Sequence, residues 1–82
     1  MANQITIVSP IPGVFYNKPA PDQPEFVNIG QEVKANDVIG LIEVMKNFYE
    51  IKAEQDGVVE RIVVDNEDIV DAGQEIAVLT VK

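Results

Sequence analysis

Leu41-Ile42-Glu43-Val44-Met45-Lys46-Asn47-Phe48-Tyr49-Glu50-Ile51 sets one lysine between two runs that both read as strands. Leu41, Ile42 and Val44 before it, and Phe48, Tyr49 and Ile51 after it, are branched, aromatic or large apolar residues suited to a pleated, half-buried surface. Residues 45–47 then form the turn of an antiparallel hairpin. Such turns lie at the outer end of a sheet, where backbone and side chains meet water. A lone turn lysine is in most proteins only a solvated charge. The rest of the chain decides what this one is.

A repeat frames the hairpin. Ser9-Pro10-Ile11-Pro12-Gly13-Val14-Phe15 aligns with Ala53-Glu54-Gln55-Asp56-Gly57-Val58-Val59, so that Gly57 follows Gly13 by 44 residues. The segment from Val33 to Ile42 aligns with that from Val70 to Leu79 at a spacing of 37. The difference of 7 between the two spacings means that the first half carries seven extra residues between its Gly-Val and its valine turn. The natural place for them is Asn17-Lys18-Pro19-Ala20-Pro21-Asp22-Gln23-Pro24, which holds three prolines and can be neither a central strand nor a helix interior.

Each half thus offers about four short strands and cannot bury its apolar face alone. Ile5 to Val8 is the first strand, ended by two prolines and a glycine, and Val14-Phe15-Tyr16 resumes the extended pattern. Two such halves pack face to face as an all-β flattened barrel or sandwich with quasi-twofold symmetry, joined at residues 45–47. By that symmetry the lysine hairpin occupies one end of the molecule and the N- and C-terminal strands meet at the other. No helical period of adequate length occurs.

Composition narrows the function. Eighty-two residues make one small domain, too small for a deep catalytic cleft with a second lobe. With no Cys and no His, the chain has neither disulfides nor a conventional zinc site, and no base for a nucleophilic triad. Asp65-Asn66-Glu67-Asp68 is the one dense acidic cluster, and it lacks the central glycine and closing ligand of a calcium loop; it reads as a solvated turn. Fourteen acidic against six basic residues, a net charge of −8, argue against nucleic acid or an anionic membrane as partner. No leader pattern precedes Ile5 and no apolar run reaches membrane-spanning length, so a cytoplasmic protein is expected. What remains is an amine held out on a rigid hairpin for another enzyme to acylate, since that enzyme can supply the activated acyl group and the base.

Glu43-Val44-Met45-Lys46 resembles the Glu-Ala-Met-Lys-Met signature of biotinyl domains. Ser9 to Tyr16 resembles the opening Ser-Pro-Met-x-Gly-x-Phe-Tyr of the biotin carboxyl carrier family of acetyl-CoA carboxylase. The resemblance covers almost the whole chain, taken as one biotinyl domain over residues 1–82. It implies two four-stranded antiparallel sheets, with biotin joined covalently to Lys46 and Glu43, Val44, Met45 and Asn47 around the attachment point. It also implies that Lys18, Pro19, Ala20, Pro21, Asp22, Gln23 and Pro24 form the protruding thumb of that family, where the repeat had required an insertion.

The implied function is a non-catalytic carrier, modified by a biotin protein ligase. It shuttles carboxybiotin between a biotin carboxylase and a carboxyltransferase in fatty acid synthesis. Two positions depart from the signature, Val44 for alanine and Asn47 for the second methionine. They leave open a carrier for another biotin-dependent carboxylase, such as a urea-type enzyme. A lipoyl carrier of the same fold is opposed by Met45, and a rival of another class is an unmodified domain used only for assembly.

Overall fold

The computed structural model describes residues 3–81. Eight strands follow in order: β1 (Asn3–Val8), β2 (Gly13–Tyr16), β3 (Glu32–Val33), β4 (Val38–Val44), β5 (Asn47–Lys52), β6 (Gly57–Ile62), β7 (Ile69–Val70) and β8 (Glu75–Val81). They form two four-stranded antiparallel sheets, ordered β1-β8-β6-β3 and β5-β4-β2-β7. The fold expected from the repeat is the one observed. The expected lack of a leader rests in part on Met1 and Ala2, which lie outside the described residues.

The quasi-twofold extends to single pairs. Adding four to each strand number, modulo eight, turns one sheet order into the other. The pairs Gly13↔Val70 and Val14↔Ile69 correspond to Gly57↔Val33 and Val58↔Glu32. The hairpin pairs Glu43↔Phe48 and Val44↔Asn47 correspond to Thr80↔Gln4 and Val81↔Asn3, where the terminal strands meet. Even the bulge between Val38 and Gly40 has its image between Ile7 and Val8 on the matching pair of strands. A one-residue slip would turn every core side chain of a strand outward, so apolar alternation in both halves fixes the same register twice.

The sheets enclose Ile7, Phe15, Ile42, Val59, Ile76 and Leu79, all essentially without solvent contact. Gly13 and Gly57 sit where a strand runs close against its neighbour within each half, β2 against β4 and β6 against β8. A Cβ on Gly13 would stand 2.5 Å from the Glu43 carbonyl oxygen, and one on Gly57 would stand 2.5 Å from that of Thr80. Glu43 and Thr80 are themselves twofold mates. Neither of these glycines has a positive φ, so close approach is what calls for glycine there.

The symmetry breaks where the surplus was placed. After Tyr16 the chain leaves the sheet and returns at Phe26, whose N–H donates to the Asn17 carbonyl across 2.9 Å and closes the base of the loop. Pro19, Pro21, Asp22, Gln23 and Pro24 are exposed. Val27 is buried and Phe26 packs against the core, so only the residues before them project.

Candidate functional site

β4 and β5 stay paired down to Val44↔Asn47, so the connecting loop is two residues, Met45 and Lys46. Asn47, expected in the turn, is the first residue of β5. Met45 has φ 51° and Lys46 φ 70°. Two successive positive φ values are what a type I′ hairpin turn requires, and its usual occupants are Asn-Gly or Gly-Gly. A residue with a Cβ costs roughly 1–2 kcal/mol in this conformation. Methionine and lysine are therefore poor choices for the backbone, and the argument for them lies in their side chains. Met45 is 89% exposed, and Lys46 is exposed beside it. Among the described residues the one ion pair is Lys34 with Asp56 at 3.9 Å, so no carboxylate restrains the Lys46 ammonium.

The other residues expected around the lysine divide by strand alternation. Val44 faces inward with Ile42 and packs against the core, so its replacement of alanine is a matter of packing. Glu43 faces outward. Its carboxylate accepts a 2.9 Å hydrogen bond from the Tyr16 hydroxyl. That bond, with burial and the charges of Glu43 and Glu67, raises the Tyr16 phenol above its ordinary pKa of 10.0.

Directly paired residues share a face of the sheet, so Val14, Glu43 and Phe48 project on one side, with Tyr16 and Leu41 in the adjacent row. The Tyr16 and Phe48 rings lie with centroids 6.1 Å apart at 58°, a tilted aromatic contact. The proline loop folds over them. Tyr16, Leu41 and Phe48, the loop residues Lys18, Pro19, Ala20 and Pro21, and Asn66 and Glu67 before β7 line a cleft of ≈ 300 Å³. Asn66 also ties the loop down, since its Oδ1 accepts the Asn17 N–H at 2.9 Å.

A thumb near the lysine was expected from the resemblance, but the floor and polar edge of this cleft were not. Its walls come from three strands and a loop brought together by register, and Asn66 and Glu67 belong to the segment read as a solvated turn. The usable signal was Tyr16 and Phe48, large aromatics on the outward phase of their strands. Asp22, Gln23 and Pro24 lie on the loop but outside the cleft lining. The walls are apolar and the polar edge holds Lys18, Asn66 and Glu67. Such a cleft suits a small, largely apolar ring system that carries both hydrogen-bond donors and an acceptor. Among the described residues no three carboxylates converge as a metal site would need, and no helix is long and apolar enough to cross a membrane.

Residues 5–79 match the Biotin_lipoyl family, described as biotin-requiring enzyme. The chain belongs to that family. It is 50% identical over 72 residues to the biotin carboxyl carrier protein of acetyl-CoA carboxylase of Porphyra purpurea, covering 88% of this chain and 46% of that protein. With the protein of the same name in Pyropia yezoensis it shares 51% over 69 residues, covering 84% of this chain and 44% of that one. The chain thus spans less than half the length of these curated relatives. Among solved structures, Kluyveromyces lactis urea carboxylase superposes with a TM-score of 0.77 at 30% identity, over 94% of this chain and 6% of that one. An aspartoacylase family protein of Mesorhizobium loti shares the fold at a TM-score of 0.71 and 24% identity, over 92% of this chain and 22% of that one.

Proposed function

We propose that Lys46 carries biotin in amide linkage and that residues 1–82 are the biotin carboxyl carrier domain of an acetyl-CoA carboxylase. The observation that carries this reading is the exposed lysine at positive φ in a two-residue hairpin, in a chain half identical to carrier proteins of that enzyme. A biotin protein ligase would present an activated biotinyl group to the Lys46 amine. The amide forms as the activating group leaves and the amine gives up its proton. When bound, biotin supplies a ureido nitrogen that takes up a carboxyl group at one enzyme and releases it at another.

The chain's own part is mechanical. The hairpin fixes where the arm begins, since Met45 and Lys46 are anchored on each side by paired strands. Exposed Met45 gives the partners an adaptable apolar contact beside the lysine. The residues from Lys18 to Pro24 act as the thumb, forming with Tyr16, Leu41 and Phe48 a sheltered place for the ring between visits to the biotin carboxylase and carboxyltransferase. The chain itself is not a catalyst, and the net charge of −8 supports protein partners over nucleic acid or an anionic membrane. A cytoplasmic setting belongs to the same reading.

A second reading, carriage for a urea-type carboxylase, is favoured by the superposition on urea carboxylase. Reconstitution decides between them. The biotinylated chain, supplied with biotin carboxylase, ATP and bicarbonate, should support malonyl-CoA formation by an acetyl-CoA carboxyltransferase. Transfer to urea in its place would move the assignment to the second enzyme, and transfer to neither would reject both.

A further inference from the structure

The quasi-twofold supplies an internal control for each residue of the cleft. Glu67 corresponds to Gly30, 37 residues before it, and they stand two residues before the equivalent strands β7 and β3. The Gly30 N–H donates to the Val59 carbonyl at 2.7 Å, and the Glu67 N–H donates to the Phe15 carbonyl at 2.6 Å. Both backbones are left-handed, with φ 89° at Gly30 and φ 71° at Glu67. Glycine takes this conformation freely and glutamate does not. Glu54 is also left-handed, but its mate by the 44-residue spacing is Pro10, so no such comparison applies there. At Glu67 one half uses the relaxed residue and the other does not, and only the second lines the cleft.

The polar edge has a defined sense. Asn66 Oδ1 is committed to the Asn17 N–H, so what that amide has left to offer a ligand is its Nδ2 donors. The Glu67 carboxylate is an acceptor only, and its charge reaches Tyr16 across the cleft. An amide donor and an anionic acceptor are thus consecutive residues and, with Lys18, make the polar lining of a cleft otherwise walled by Tyr16, Leu41, Phe48 and two prolines, with Glu67 exposed at its rim. A cyclic urea presents the complementary pair, an N–H beside a C=O.

We propose that Glu67 and Asn66 are specificity-determining residues that read the ureido edge of the cofactor on Lys46, Glu67 accepting a ureido N–H and Asn66 donating to the ureido oxygen. The inference rests on the carrier reading above. It accounts for a glutamate standing where the fold would take a glycine.

The test compares the chain with Glu67→Gln and Glu67→Gly, each before and after treatment with biotin, ATP and biotin protein ligase, with intact mass confirming one biotin per chain. Biotinylation should raise the Tm of the parent by about 4–8 °C, less in Glu67→Gln, and not at all in Glu67→Gly. Unmodified Glu67→Gly should melt no lower than the unmodified parent, since it only relaxes the backbone. The Asn66 side-chain amide resonances should move on biotinylation of the parent. Equal Tm shifts in all three fully biotinylated forms, or none in the parent, would overturn the proposal and leave the carrier reading standing. A parent chain that takes up no biotin would overturn both.

Discussion

The Tyr16 hydroxyl of β2 donates to the Glu43 carboxylate of β4 at 2.9 Å, and the twofold image of this bond runs from Thr80 to Glu60 at 2.9 Å with acid and hydroxyl exchanged. Tyr16 corresponds to Glu60 and Glu43 to Thr80. The same diagonal cross-strand pairing thus serves two chemistries, a solvated Thr-Glu pair on one face and an aromatic floor on the other.

Removing the Glu43 charge should lower the Tyr16 titration midpoint, since that residue supplies the hydrogen bond that most favours the neutral phenol. Glu43→Gln in a Tyr49→Phe background, followed by tyrosinate absorbance against pH, isolates the single group. Because the folded pKa lies above the unfolded value, this interaction contributes stability fully below about pH 10 and loses it as pH rises through the folded value. Tyr16→Phe should therefore flatten the fall in stability above pH 10. An unmoved midpoint in Glu43→Gln would contradict the assignment.

Gly13→Ala and Gly57→Ala should destabilise by similar amounts, about 1–3 kcal/mol each, because a methyl group at either site meets a backbone carbonyl that the sheet holds in place. Urea midpoints measure this. A response at one site only would confine the symmetry to the strand order.

Much of this was legible in the sequence, and the reason is physical. Strands announce themselves by alternation, and Gly13 with Gly57, or Val33 with Val70, repeat because equivalent close contacts demand equivalent residues. The seven-residue surplus placed the loop for the same reason. The cleft was not legible, because Tyr16, Leu41 and Phe48 become neighbours only once β2, β4 and β5 are in register. Asn66 was read as solvated because nothing local showed that Asn17 would come to bond it. The left-handed backbone at Met45, Lys46 and Glu67 also escaped notice, since the residues there are not the ones that conformation favours.

That last point is open to measurement at the hairpin. Replacing Met45-Lys46 by Asn-Gly should stabilise the unmodified chain by about 1–3 kcal/mol, since both residues then suit positive φ. Chemical denaturation reads the gain. Unchanged or lower stability would mean that the turn carries no strain to relieve.

Shortening residues 18–24 to a tight turn, with Phe26 and Val27 kept, should leave stability within about 1 kcal/mol, because loop closure changes by only about 0.6 kcal/mol per doubling of length. Carboxyl transfer per folded molecule should fall. A large loss of stability with transfer unchanged would make the loop a cover for the Tyr16, Leu41 and Phe48 floor.

Biotin carriage rests on one amine among five lysines and the N-terminus. The most direct measurement is intact mass followed by peptide mapping of the chain after incubation with biotin, ATP and biotin protein ligase. One biotinyl group should appear, on the peptide that contains Lys46, and Lys46→Arg should remain folded and unlabelled. Label on another lysine, label retained in Lys46→Arg, or a lipoyl group on protein isolated from its host would contradict biotin carriage by Lys46.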